Sequence, residues 1–194
     1  MSMKKICFIG TSHLAALAHA WIDTEPACNS HVQASFFVGG GTSLYEACFF
    51  PESIEAPENS RLAANFQRFT TGESRIILKN YDYFAFHGLD FPIIESLELS
   101  SLLCAKKQFF SDAFLIESFS NFIENLPITP SIKHIALNTE CHILVSLTPK
   151  TSNLALQQGI FAYQNYLLYA EMLDNFFLKA FKEIFNYPKM ILIF

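Results

Sequence analysis

Along this chain short apolar runs alternate with longer segments whose apolar residues recur every three or four positions, the pattern of strands interleaved with helices. The first run, Ile6-Cys7-Phe8-Ile9, rises out of Lys4-Lys5 and breaks at Gly10. It then hands over through Thr11-Ser12-His13 to an Ala/Leu-rich segment ending near Trp21. This predicts a buried strand, a tight turn and a helix. Thr24 to Ser30 reads as a polar connection containing Pro26, and Val32 to Val38 as a second strand running into Gly39-Gly40-Gly41. Pro51 and Pro57 limit any helix between Thr42 and Glu58, which reads as irregular. Asn59-Ser60 is placed to cap a helix reaching about Phe69, with Leu62, Asn65, Phe66 and Phe69 on one face.

Ile76-Ile77-Leu78 and Tyr83-Phe84-Ala85-Phe86 are two further strand-like pieces, the second ending in His87-Gly88-Leu89-Asp90. From Pro92 to about Asn125 the pattern is helical and Phe/Leu-rich, with Pro127 and Pro130 ending it. Cys141 to Leu147 is the clearest buried strand. A helical stretch from about Ser152 to Phe185 follows, then a break at Asn186-Tyr187-Pro188 and a last strand, Met190 to Phe194. Five strands alternating with helices imply a parallel sheet covered on both faces, because the crossovers place helices there. The expected fold is one α/β domain over residues 1–194, without repeats or an interdomain linker.

Composition narrows this picture. The chain is 51% hydrophobic with 21 Phe and only 16% charged residues, which fits a globular core and excludes disorder. A net charge of −5 argues against a general nucleic-acid partner. The five cysteines form no C-x-x-C pair and read as free thiols, mostly small buried hydrophobes of a reducing, cytoplasmic compartment. No Cys or His pair has metal-ligand spacing, and no G-x-G-x-x-G or G-K-[ST] loop is present, so neither a metal nor a nucleotide cofactor is expected. Met1 to Ala20 superficially resembles a signal peptide cleaved after Ala20, the secreted alternative, but Gly10-Thr11-Ser12-His13 cuts its apolar core in two. Thr151 to Ala170 carries no charge over 20 positions, yet Gln157, Gln158, Gln164 and Asn165 make it an amphipathic helix instead of a membrane span.

Three strand ends carry small or polar residues: Gly10-Thr11-Ser12-His13, Gly39-Gly40-Gly41 and His87-Gly88-Leu89-Asp90. In a parallel sheet these ends share one edge, so the loops converge where open α/β sheets bind ligands. A serine at the first turn, with glycine N–H groups from the other two, can attack a carbonyl and hold the resulting oxyanion. The same residue types also serve strand-to-helix turns simply as turn and cap formers.

Phe8-Ile9-Gly10-Thr11-Ser12-His13-Leu14 resembles the first block of the SGNH (GDSL-like) hydrolases, in which the serine of G-D-S is the nucleophile. Gly39 to Gly41 is similar to the second block, a glycine whose N–H serves the oxyanion hole, and His87-Gly88-Leu89-Asp90 sits where the third, G-x-N-D, is expected. The resemblance implies a flavodoxin-like three-layer α/β/α sandwich. It also implies an esterase or acyltransferase acting on small, acetyl-type groups, often on carbohydrate. Ser12 would be the nucleophile, with Gly39, Gly40, Gly88, Asp90 and His13 around the oxyanion and substrate.

Three departures bear on that expectation. Thr11 replaces the usual Asp, and Asp90 stands where the family has Asn, so a carboxylate would repel the oxyanion. The family's base, in a D-x-x-H motif after the last strand, does not occur before Phe194. His13 adjoins Ser12 but points about 100° away on a helix. His87 is then the best internal candidate for the base, with His19, His31, His134 and His142 placed elsewhere. Two readings stay open: an acyl-enzyme hydrolase or acyltransferase with a small-molecule or carbohydrate ester substrate, shortened relative to the family's D-x-x-H block, and a catalytically degenerate binding protein of the same fold. An exposed final strand would also be an edge open to self-association.

Overall fold

The run that follows Lys4-Lys5 forms β1 (Lys4–Gly10), and a single residue, Thr11, links it to α1 (Ser12–Cys28). In the computed structural model residues 3–28, 31–40, 42–89, 93–106, 110–147 and 160–193 are described. After α1 come β2 (Val32–Val38), the short strands β3 (Cys48–Phe50) and β4 (Ser53–Glu55), α2 (Arg61–Phe69), β5 (Arg75–Ile77) and β6 (Tyr83–Leu89). The remainder is α3 (Ile93–Lys106), α4 (Asp112–Glu124), α5 (Thr129–Asn138), β7 (His142–Leu147), α6 (Ile160–Ile184) and β8 (Met190–Ile193). Two compact units divide these elements. One comprises Met1–Leu89, Pro127–Thr148 and Tyr187–Phe194, the other Asp90–Leu126 and Pro149–Asn186.

The first unit carries a five-stranded sheet in the order β2-β1-β6-β7-β8, every neighbouring pair parallel. With its strands counted in chain order this is 2-1-3-4-5, the order of flavodoxin-like doubly wound sheets. The expected α/β class with a five-stranded parallel sheet is therefore the observed one. The central strands are buried on both sides, which is why they read as continuous apolar runs instead of alternating ones. On one face Phe8, Phe36 and Val38 pack with Leu14 and Ala18 of α1, and Phe8 stacks on Phe36 with ring centroids 4.9 Å apart. On the other face Cys7, Ile9, Phe37, Phe84, Phe86, Ile143 and Val145 are no more than 2% exposed. Helix α2 lies along the β2 edge. Its Phe66 meets Phe37 edge-to-face at 5.1 Å, while Phe69 reaches the α1 side. Full burial of side chains of this size contributes about 1.5–3 kcal/mol each.

Several expectations need correction. Thr42 to Glu58 is not irregular: β3, β4 and β5 make a separate antiparallel sheet, and the Ile76-Ile77 segment joins that one. Three-residue strands leave too few positions for alternation to show. Pro130 does not stop a helix but starts α5, in which it occupies the first turn, where a missing N–H costs nothing. The stretch from Pro92 to Asn125 is two helices, the second beginning where Ser111 Oγ accepts the Phe114 N–H. α1 continues to Cys28, through the segment read as a connection. Of the thiols, Cys7 is buried but Cys48 is exposed. Residues 151–159 of the long C-terminal helical segment lie outside the described residues, as do Gly41 and Asp90.

The second unit is helical. α3 and α4 both pack on α6, with Phe119 and Phe177 perpendicular at 6.0 Å and Leu115, Ile123, Leu173 and Ala180 buried. No helix among the described residues is long and apolar enough to cross a membrane.

Candidate active site

The strand order fixes where chemistry can be assembled. From β1 the chain moves to one side to make β2 and later returns on the other side as β6. The crevice outside the carboxyl ends of β1 and β6 is the topological switch point at which such sheets bind ligands. The residues there are Gly10-Thr11-Ser12-His13 and His87-Gly88, with Gly10 paired to both Val38 and His87.

Glycine is required at two of these positions for close approach. A Cβ on Gly10 would run into the His87 carbonyl oxygen and crowd Leu14 at 3.1 Å, so its absence lets α1 leave the sheet immediately. Gly88 has φ +90° and sits in an irregularity of the β6–β7 register, and a Cβ there would lie 2.6 Å from Thr11 Oγ1. Thr11 Oγ1 is itself buried with no hydrogen-bond partner.

Ser12 and His13 are exposed in the first turn of α1. Leu14 N–H closes on the Thr11 carbonyl at 3.0 Å, so the N–H groups of Ser12 and His13 are the helix's unpaired donors, oriented for an anion. His87 is half-buried, and its Nδ1 lies 2.7 Å from Ser146 Oγ on the neighbouring strand, directly across the register. Ser146 Oγ also reaches the Phe86 carbonyl at 3.4 Å. Partial burial, and then the nearby charge of His13, hold His87 below the usual imidazole value, so it is neutral near pH 7. Among the described residues Ser12 Oγ makes no hydrogen bond, to His87 or to any other group.

The other expected residues fall as follows. Gly39 N–H donates to the Gly10 carbonyl at 2.7 Å, which welds β2 to β1 but leaves that N–H unable to hold an oxyanion. Among the described residues Gly40 N–H has no such acceptor; its carbonyl receives Ser43 N–H at 3.1 Å. His142 starts β7 opposite Tyr83, at the far end of the sheet. His134 Nε2–H donates to the Phe50 carbonyl over 2.8 Å, and His19 packs edge-on against Phe69. Ser146 is the residue that sequence reasoning missed. Its only signal was a hydroxyl near the end of an otherwise apolar strand, which means nothing until the register sets it beside His87.

Two clefts lie away from this crevice. One of about 490 Å³ is lined by Glu58, Ser60, Ala63, Gln67 and Ser74, and one of about 210 Å³ by Thr139, Cys141, Tyr187 and Lys189. Among the described residues no group of three His, Cys, Asp or Glu side chains is placed to hold a metal ion.

No protein-family model and no curated protein matches the chain. Among solved structures it is similar to the lipase Lip_vut3 from a goat rumen metagenome, with a TM-score of 0.41 and 11% identity, over 99% of this chain and 80% of that one. So loose a superposition decides nothing about this chain's chemistry, which rests on its own strands and side chains.

Proposed function

We propose that this chain is a serine esterase or acyltransferase of the SGNH-like kind, acting on small acyl groups, acetyl among them, carried by a carbohydrate or another small molecule. The observation that carries this reading is the convergence at one switch point of an exposed serine on a helix N-terminus and a neutral histidine held by Ser146 over 2.7 Å. In the reaction Ser12 Oγ attacks the ester carbonyl carbon and its proton passes to His87 Nε2. His87 Nδ1–H donates to Ser146 Oγ, whose own hydrogen turns to the Phe86 carbonyl. The oxyanion is held by the N–H groups of Ser12 and His13 at the start of α1. Collapse expels the alcohol, which takes the proton from Nε2. Water, or an acceptor hydroxyl, then attacks the acyl-Ser12 ester by the same relay. The Ser12–His87 hydrogen bond forms in this reading only with substrate bound, as catalytic hydrogen bonds often tighten in the complex.

A second reading, a binding protein without turnover, is favoured by one observation: Ser12 Oγ has no hydrogen bond to a base. Hydrolysis of 4-nitrophenyl acetate separates the two. Ser12→Ala and His87→Ala are each expected to lower the rate by about a hundredfold or more. Rates equal to wild type in both variants contradict the catalytic reading and leave the binding one.

A further inference from the structure

Beside Gly40 the first turns of α2 present Arg61 and Asn65, four residues apart and therefore on one stripe of the helix. A Cβ on Gly40 would lie 3.3 Å from Asn65 Nδ2 and 3.8 Å from Arg61 Nη2, so the space that the glycine leaves open is bordered by the amide and the guanidinium. None of these donors is satisfied within the described residues: Arg61 makes no ion pair, Asn65 no hydrogen bond, and Gly40 N–H meets no acceptor. Glu46 accepts the Leu62 N–H over 3.3 Å and makes no ion pair with Arg61 among the described residues. Unpaired donors of this kind, in a chain of net charge −5, are complementary to an oxyanion such as a carboxylate or phosphate. Gly39 N–H on the Gly10 carbonyl ties this cluster to the end of β1, two residues before Ser12.

We infer that Gly40, Asn65 and Arg61 form an oxyanion-group subsite, so that the substrate of the Ser12 site carries a carboxylate or phosphate beside its reactive ester. This rests on the esterase reading for the word substrate, while the anion site itself does not. Two measurements keep them apart. In the first, 4-nitrophenyl hydrogen succinate and 4-nitrophenyl acetate are compared as a ratio of kcat/KM in wild type, Arg61→Gln and Arg61→Lys. The ratio is expected to be about tenfold in favour of the succinate ester, to collapse towards one in Arg61→Gln and to recover in part in Arg61→Lys. In the second, succinate and inorganic phosphate are titrated while the Gly40 amide is followed by NMR. Saturable shifts are expected in wild type and not in Arg61→Gln, with the stronger of the two ions naming the anion. Hydrolysis with one and the same ratio in wild type and Arg61→Gln overturns the subsite and leaves the esterase. Absence of hydrolysis with an Arg61-dependent shift at Gly40 overturns the esterase and leaves the subsite. An unmoved Gly40 amide in wild type overturns the subsite outright.

Discussion

His87 sits half in and half out of the sheet edge, and that position sets the protonation chemistry proposed for Ser12. Burial and then His13 hold its pKa below 6.5, so its neutral form, the base, is in place at pH 7. Activity should therefore rise with pH through a midpoint below 6.5 and be level at neutrality. The stability linkage has the same direction. The unfolded chain takes up the proton first as pH falls, so this residue's contribution is complete above 6.5 and lost below it. If Nδ1–H donates to Ser146, the hydroxyl stabilises the imidazolium, and Ser146→Ala should move the midpoint further down. An upward move, read from His87 ring NMR or the pH–rate profile, would instead make Ser146 the donor and leave Nε2 protonated and unable to act as base. Gly88 poses a backbone question. At φ +90°, with Thr11 Oγ1 2.6 Å from the Cβ position, Gly88→Ala should destabilise the fold by about 1–3 kcal/mol in urea unfolding. An unchanged midpoint would contradict the close approach. His87 is legible in the sequence as a candidate base at a strand end, but its tie to Ser146 is not, because the two are 59 residues apart and only the β6–β7 register joins them.

Elements with long, consistent patterns were legible and short ones were not. The central strands β1 and β6 show apolar runs because the sheet covers them on both sides, β2 and β7 carry enough apolar residues to read as strands, and α2 follows its cap and its apolar face. Ser60 Oγ accepts the Ala63 N–H at 3.0 Å, as the capping pattern predicted. Ser60→Ala should cost about 1 kcal/mol of stability. Denaturant unfolding followed by circular dichroism measures this, and a midpoint equal to wild type would remove the cap from the account. β3, β4 and β5 escaped because strands of three residues carry no readable period, and Pro130 misled because the same ring that ends one helix is well placed in the first turn of another.

At the scale of the whole molecule the order 2-1-3-4-5 brings three strand ends to one edge, an arrangement that alternation of strands and helices predicts in class but not in contact. The glycines at that edge serve different ends: Gly39 is tied to Gly10, Gly88 makes room for Thr11, and the Gly40 N–H meets no acceptor among the described residues. What the fold supplies is a crevice with an exposed Ser12, a neutral His87 and donors unpaired among the described residues, which in the proposed reaction activate Ser12. Intact mass after treatment with a fluorophosphonate reads that activation out. Wild type should gain the mass of one phosphonyl adduct, and folded Ser12→Ala should gain none. A folded wild type that stays unlabelled, or equal labelling of the variant, would contradict it.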